Sequence, residues 1–375
     1  MQSVTEAGRL PAVSMTRVQW PVFAVGLVAL GALLSALPRT MSWLLVVGLL
    51  MGITLFHAAF GFASSYRMAI VHRDTAGVRA QLLMLAIATV LFAPALADGE
   101  LFGQAVVGAV APLGVQVMAG AFMFGIGMQI GGGCGSGTLY TAGGGNPRMM
   151  VTLAAFVAGS FWASLHMGWW QSLPGFAPVV LGASLGWPLA VVLQLAVLGA
   201  VWMLMKRIDA APARNRHYHL LRGPWPLMVG AVVLALLNFA TLLLAGHPWT
   251  ITWAFTLWGA KVASLAGWDA ATAPFWQAGF QQAALDGSVL ADTTSVMDFG
   301  LLLGAMLAAA AAGRYATQPG PGWRSTAAAL LGGGLMGYGA RIAFGCNIGA
   351  FFSGVASTSL HGWLWIACAL AGSLP

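Results

Sequence analysis

Apolar residues fill this chain in long runs that short polar segments separate. The segment 149–205 carries no Asp, Glu, Lys or Arg, and neither 101–147 nor 342–375 carries any. A helix of about 20 apolar residues is long enough to cross a bilayer. The pattern therefore predicts an all-α polytopic membrane protein. Its spans are expected near 18–38, 42–65, 80–97, 105–129, 149–170, 186–205, 225–246, 297–313, 325–344 and 360–374.

The composition supports the membrane class. The 375 residues are 59% hydrophobic and 7% charged, whereas about a quarter of the residues in a soluble domain are charged. The 50 glycines and 16 tryptophans also fit, because glycine lets membrane helices pack closely and tryptophan gathers at the membrane–water boundary. The three cysteines have no paired spacing, which argues against a disulfide framework. Residues 1–20 are too polar for a cleavable signal.

Loop charges predict how the helices are oriented. The basic loops 67–79, 206–222 and 314–324 are expected in the cytoplasm, and the acidic segments 98–100 and 269–298 are expected outside. The net charge of +7 thus comes from basic loop residues that orient the helices in the lipid bilayer, and it does not indicate a nucleic-acid partner.

The stretch 251–267 is ambiguous because Lys261 interrupts it. The loop charges require this stretch to enter and leave the membrane on one face, which would place Lys261 in a re-entrant or broken segment. The chain is then expected to divide into four parts. They are a cytoplasmic tail (1–17), a first membrane half (18–205), a basic cytoplasmic linker (206–224) and a second membrane half (225–375).

Two glycine-rich segments, each with one cysteine, repeat each other. Residues 120–137 and 332–349 are identical at seven of 18 positions, namely five glycines, one isoleucine and the cysteine, which is Cys134 in the first copy and Cys346 in the second. The span before Cys134 starts from an acidic segment and the span before Cys346 from a basic loop. The two copies should therefore run in opposite directions, as in the inverted repeats of membrane transporters.

The pieces that contain the cysteines, 131–145 and 345–356, look too irregular to cross lipid as regular helix. Irregular backbone exposed to lipid would leave amide groups unpaired, at several kcal/mol each. These pieces are therefore expected to be two re-entrant loops that are buried among helices and meet near the midplane of the membrane.

Such loops suit a small anion. Gly133, Gly135 and Gly345 would let backbone amide groups approach a ligand, and successive amides in such turns form anion-binding nests. Neutral thiols on Cys134 and Cys346 would touch a soft, sulfur-bearing anion without trapping it, and transport requires weak contacts of this kind. A covalent persulfide route stays an alternative, although no base or orienting acid lies near either cysteine in the sequence.

Other polar residues near the repeat are further candidates for substrate binding. Ser136 and Asn347 could donate hydrogen bonds beside the cysteines. Arg341 is the one charge within its predicted span and could attract an anion, although pairing with helix-end carbonyls is an equal alternative. Lys261 has a similar status, and Cys368 is interpreted as core packing.

Several other functions find little support. The seven histidines form no metal-ligand pattern and the 18 methionines are not spaced as ligand pairs, so a soft-metal carrier is a minor alternative. No phosphate-binding loop of the Walker type occurs. We expect no bound metal, no cofactor and no enzymatic activity.

The two cysteine motifs resemble those of the YeeE/YedE family, bacterial inner-membrane proteins linked to sulfur transport. The resemblance is carried by GGCGSGTLY at 132–140 and GARIAFGCNIG at 339–349, with a weaker similarity in WGAK at 258–261. It implies a multi-pass inner-membrane protein built from inverted helical repeats with short embedded helices. It also implies uptake of thiosulfate or a related sulfur anion, with Cys134 and Cys346 as contacts for the ion.

The chain departs from the family at one position. A further cysteine of the family usually falls in an early Phe-Cys motif, whereas the similar stretch here is GFASSYR at 61–67, with Ala63 in place of the sulfur. One contact fewer leaves a different sulfur species or a selenium species open as the substrate. A different class of function is also open, a membrane-embedded sulfurtransferase that passes persulfide sulfur to a cytosolic sulfur-carrier protein.

Overall fold

Helices form almost the whole structure, a computed structural model that describes residues 17–211, 218–277, 279–316 and 320–374. In the first half they are α1 (Trp20–Ala36), α2 (Arg39–Ala58), α3 (Phe62–His72), α4 (Ala76–Asp98), α5 (Val115–Gly131), α6 (Gly135–Gly143), α7 (Pro147–Ser164), α8 (Met167–Gln171), α9 (Leu181–Leu185) and α10 (Trp187–Ile208). In the second half they are α11 (Leu227–Ala245), α12 (Thr252–Leu265), α13 (Gly279–Asp286), α14 (Thr293–Ala311), α15 (Trp323–Ile342), α16 (Ser353–Ala356) and α17 (Leu360–Gly372).

Smaller elements complete the chain. A π-helix, Asn347–Phe352, leads directly into α16, and short 3-10 turns cover Ala270–Thr272, Pro274–Gln277 and Val289–Ala291. Two-residue strands form two antiparallel pairs, β1 (Glu100–Leu101) with β2 (Gln104–Ala105) and β3 (Leu113–Gly114) with β4 (Gly175–Phe176). Most of the predicted tail 1–17 lies outside the described residues, as do 212–217 of the basic linker and 317–319 of the basic loop 314–324.

Seven helical segments of the described chain are long and apolar enough to cross a membrane. They are Arg39–His72, Ala76–Asp98, Val115–Gly143, Trp187–Ile208, Leu227–Ala245, Thr293–Ala311 and Trp323–Ala356. The shorter helices α1 and α17 are also apolar. This confirms the prediction of an all-α polytopic membrane protein. The division into two membrane halves and the depth of the cysteine segments stay predictions, because the structure contains no bilayer.

Some element boundaries differ from those predicted. The span expected at 105–129 begins as a helix only at Val115, because the proline at 112 favours extended backbone before it and β3 holds 113–114 in a strand pair. The span expected at 297–313 begins earlier, at Thr293, where the side chain of Asp292 accepts a hydrogen bond from the Ser295 amide at 2.7 Å. Asp298, which the loop charges counted in the outside segment 269–298 and the predicted span 297–313 also includes, lies inside α14.

The cysteine pieces are more regular than predicted. The irregular loop expected at 131–145 contains the nine-residue helix α6, and 345–356 contains the π-helix and α16. Each helix begins directly after the cysteine, whose sulfur accepts a backbone N–H bond at the start of the helix. The stretch 251–267, expected to be re-entrant or broken, is not broken, since it contains the 14-residue helix α12, in which Lys261 lies, and its re-entrant path stays a prediction.

Glycines allow the central helices to touch along their backbones. α15 packs between α5 and α7, and a Cβ at Gly337 would overlap the carbonyl oxygen of Phe156. Gly120 lies against Gly339, whereas Gly127 lies against Met336. Residue numbers thus rise along α5 as they fall along α15, so the two long helices that precede the cysteines run antiparallel. This is the close packing that small residues provide in membrane helices.

Candidate functional site

Cys134 caps a helix in the protein interior. α5 ends where Gly132 adopts a left-handed conformation with φ 86°, and the chain turns back into α6. The Cys134 sulfur accepts a hydrogen bond from the Gly137 amide at 3.4 Å and lies 3.4 Å from the Ser136 hydroxyl oxygen. The residue is only 1% exposed. The thiol is therefore held by short-range contacts within its own turn.

Cys346 occupies the equivalent place in the second copy. After α15 the chain turns through Gly345, with φ 149°, and Cys346 caps the π-helix, accepting a bond from the Ile348 amide at 3.5 Å. A Cβ on Gly345 would lie 2.7 Å from the Ala350 nitrogen. Both its conformation and its surroundings therefore require glycine. Cys346 is fully buried.

The two cysteine segments meet. A Cβ built on Gly135 would lie 2.9 Å from the Cys346 sulfur, so the missing side chain makes room for the thiol of the other copy. Gly133 differs, because a Cβ there would lie 3.4 Å from the Gly137 carbonyl carbon, an ordinary contact distance. We call Cys134, Cys346, Gly135, Ser136 and Asn347 the cysteine cluster.

Side chains of two more helices reach the cysteine cluster. The first residue of α12, Thr252, lies with its methyl group 3.8 Å from the Gly135 Cβ position. In α3, the Tyr66 hydroxyl accepts a hydrogen bond from the Asn347 side-chain amide at 3.4 Å. The first turns of α6, α12 and the π-helix thus lie around one region that the Tyr66 side chain of α3 also reaches, and helix N-termini bring partial positive charge there.

Two buried polar atoms, one in the cluster and one beside it, have no protein partner. Among the described residues, neither the Thr138 hydroxyl nor the Asn347 side-chain oxygen forms a hydrogen bond, although both residues are fully buried. An unsatisfied buried polar group costs about 1–3 kcal/mol. The Thr138 hydroxyl lies 3.5 Å from the Cβ position of Gly133, so it can donate a hydrogen bond to an anion at the turn that carries Cys134.

The structure gives the two predicted cationic residues partners elsewhere. The Arg341 guanidinium lies 5.3 Å from the centre of the Phe275 ring. The Lys261 ammonium donates to the carbonyl oxygens of Leu285 and Gly287, each at 2.6 Å. Both cations therefore contact the acidic segment that the sequence places outside, and not the cysteine cluster.

Sequence reasoning missed Tyr66, Thr138 and Thr252. Tyr66 lies in the stretch 61–67, which the sequence analysis considered only because Ala63 replaces a cysteine of the family. Ala63 itself is 6% exposed and lies in the first turn of α3. A usable signal was a pattern that occurs four times, a long apolar run followed by a turn and a short helix. Only two of these four turns carry a cysteine, so a search for the cysteine motif found two of the four turns and missed the other two.

Two cavities adjoin helices that reach the cysteine cluster. The α3 cavity, about 510 Å³, is lined by Ser64, Ser65 and Met68 and lies beside the basic segments. The α12 cavity, about 280 Å³, is lined by Trp253 and Thr294 and lies beside the acidic segment. Each cavity therefore adjoins a helix that reaches the cluster, α3 through Tyr66 and α12 through Thr252. In the described part of the chain, no group of three or more metal-binding side chains comes together.

Comparison with known proteins gives relatives of one kind. Residues 57–374 match the sequence profile of the family described as sulphur transport. The thiosulfate transporter TsuA of Spirochaeta thermophila is 27% identical over 347 residues, which are 85% of this chain and 93% of the relative. TsuA of Escherichia coli K12 is 27% identical over 345 residues, 88% of this chain and 91% of the relative.

A third relative, with a different name, matches over a shorter stretch. The probable transporter YedE of Escherichia coli K12 is 31% identical over 160 residues, 42% of this chain. The matched part spans only 38% of the length of that YedE protein. The profile covers both cysteine motifs and most of the helical structure, so this chain belongs to the sulphur transport family, the YeeE/YedE family that its cysteine motifs resemble.

Proposed function

We propose that this protein carries thiosulfate, or a closely related sulfur anion, across the bacterial inner membrane. The observation that carries the proposal is the meeting of two buried thiol segments from antiparallel copies, with room for the Cys346 sulfur at Gly135. The alignments with this chain cover most of the length of the two TsuA proteins, whose names state thiosulfate transport.

The charge of the substrate follows from the groups around the cysteine cluster. Three helix N-termini, those of α6, α12 and the π-helix, lie at the cluster, and the Thr138 hydroxyl can donate a hydrogen bond. Helix N-termini bind anions through their amide groups and their dipole. The cluster itself carries no basic side chain, so it attracts an anion without the deep binding that would stop transport.

The thiols explain why the anion would contain sulfur. A neutral thiol is a weak hydrogen-bond donor and a polarizable group. It offers a soft anion such as thiosulfate a contact that a hydroxyl or a methyl group does not reproduce. The ion would pass from the α12 cavity, through the cluster, to the α3 cavity, and Arg341 and Lys261 would draw it toward the acidic side.

Uptake of ³⁵S-thiosulfate into proteoliposomes tests the assignment. Cys134→Ala and Cys346→Ala should each lower the uptake rate about tenfold or more, which corresponds to a barrier that is higher by about 1.4 kcal/mol. Cys368→Ala is the matched control, because Cys368 lies on α17 and is partly exposed, and it should leave uptake unchanged. Normal uptake by both cluster variants would contradict the assignment. Competition by unlabelled sulfate and selenite defines which anions share the path.

Labelling the two sulfur atoms of thiosulfate separately distinguishes transport from a persulfide relay to a cytosolic sulfur carrier. A transporter delivers the inner and the outer sulfur in equal amounts and needs no added carrier protein. A relay would deliver the outer sulfur alone and would depend on the carrier. Equal delivery into otherwise empty vesicles is the expected result.

A further inference from the structure

One acidic side chain is buried in α14 without any partner. Asp298 is 0% exposed, and neither carboxyl oxygen forms a hydrogen bond with any described residue. α14 is one of the helices that are apolar and long enough to cross the membrane. An isolated carboxylate is very costly in such a place and is stable there as the neutral acid.

No base on a neighbouring element neutralises Asp298. The helices packed against α14 are α1, α2, α6 and α12. Their ionisable residues are Arg39 and His57 on α2, Tyr140 on α6 and Lys261 on α12, while α1 has none. Lys261 is engaged by backbone carbonyls, and in the described chain none of the four forms a hydrogen bond or an ion pair with Asp298.

The other acidic group that acts on Asp298 is Asp292, at the start of the same helix. The Asp292 carboxylate is occupied, since it accepts hydrogen bonds from Ser295 and from the Trp253 indole at 2.9 Å. It therefore does not share a proton with Asp298. The proton on Asp298 must come from water.

The helix that carries Asp298 connects a route to water with the cysteine cluster. Thr294, one helical turn earlier on the same face of α14, lines the α12 cavity. α14 also packs against α6, the helix that Cys134 caps, and Leu302, one turn after Asp298, lies against Gly143 of α6. An ionised Asp298 would repel an anion at the cluster, whereas a protonated Asp298 would not. Binding of a proton and binding of the anion must then favour each other.

We propose that Asp298 is the proton-binding site of a proton-coupled anion symporter. Asp298 takes a proton from water in the α12 cavity, the anion binds at the cysteine cluster, and both are released into the cytoplasm. No bond to sulfur forms or breaks, and the proton returns to water on the other side. The inference rests on the proposed transport function and adds the ion that drives it.

Proteoliposomes with the membrane potential clamped by valinomycin and potassium test this. With about pH 6 outside and about pH 8 inside, wild-type protein should accumulate ³⁵S-thiosulfate, by up to about 100-fold if one proton accompanies each anion. At equal pH it should only equilibrate the label. A pH dye trapped inside the vesicles should report acidification when thiosulfate is added.

Asp298→Asn removes the proton site while keeping size and polarity. This variant should still equilibrate thiosulfate at equal pH, within about threefold of the wild-type rate, but the pH gradient should drive no accumulation. Asp286→Asn is the matched control, since Asp286 is exposed at the end of α13, and it should retain full accumulation.

The results separate the two proposals. Wild-type uptake that ignores the pH gradient, or that follows a sodium gradient instead, overturns the role of Asp298 and leaves thiosulfate transport standing. Absence of wild-type uptake under all conditions overturns both. If Asp298→Asn does not fold, the dye signal of the wild-type protein tests the proposal, because a flat signal during thiosulfate uptake rules out proton movement and overturns the role of Asp298.

Discussion

Two glycines flank Cys134, and the structure assigns them different tasks. Gly135 leaves room for the Cys346 sulfur, while Gly133 has space for a methyl group at ordinary contact distance. The sequence analysis predicted that both glycines belong to one loop whose backbone amide groups approach the ion. At the residue scale, the requirement for glycine comes from the approach of the second cysteine segment, which lies 212 positions away in the repeat.

We therefore expect Gly135→Ala and Gly133→Ala to behave differently. The added methyl of Gly135→Ala must push the Cys346 thiol aside, so thiosulfate uptake should fall about tenfold or more, with an overpacking cost of about 1–3 kcal/mol in stability. Gly133→Ala should keep uptake within about twofold. Both variants are compared by uptake rate and by thermal unfolding in detergent. Equal loss in the two would contradict the geometry of the cluster.

At the scale of elements, the packing of α15 between α5 and α7 holds the Cys346 turn in place. Gly337 lies against the backbone of α7 near Phe156, whereas Gly334, one turn earlier on the same helix, has nothing within 4 Å of its Cβ position. Close backbone contact stabilises membrane helix pairs through dispersion. The two glycines thus offer a matched comparison within one helix.

Gly337→Val should separate α15 from α7 and lower the free energy of unfolding by about 1–3 kcal/mol. Gly334→Ala should be neutral or should raise it by about 0.5–1 kcal/mol, because alanine favours helix over glycine. Fluorescence-detected gel filtration after heating measures both in parallel. A Gly337→Val protein as stable as wild type would show that this contact is loose.

At the scale of the whole molecule, orientation in the membrane connects the cavities to compartments. The acidic segment with the α12 cavity is predicted outside, and the basic loops with the α3 cavity are predicted in the cytoplasm. Exposed positions exist on both, Asp286 in the acidic segment and Gly320 in a basic loop.

Single cysteines at these two positions should react with an impermeant maleimide from opposite sides. Asp286→Cys should be labelled in right-side-out vesicles and Gly320→Cys in inverted ones, with Cys368→Ala as the background. Cys134 and Cys346 stay in place because they are 1% and 0% exposed and should not react with a bulky reagent. Labelling of both positions from one side would overturn the predicted topology.

Hydropathy and the cysteine repeat were enough to predict the helical membrane class, the family and the pair of thiols. These features are local, because a charge-free run must avoid water wherever it lies, and a repeated motif is visible without coordinates. Boundaries were less accurate where local bonds override hydropathy, as at Asp292, whose capping bond starts α14 at Thr293 instead of 297.

The sequence by itself determined that this chain is a polytopic helical membrane protein with two equivalent cysteine turns. Only the tertiary structure decided which residues surround them. Tyr66 and Thr252 reach the cluster from distant helices, Arg341 and Lys261 are drawn to the acidic segment, and Asp298 is buried alone. The physical reason is that contacts between helices depend on backbone approach and shape, which hydrophobic pattern and spacing along the chain do not encode.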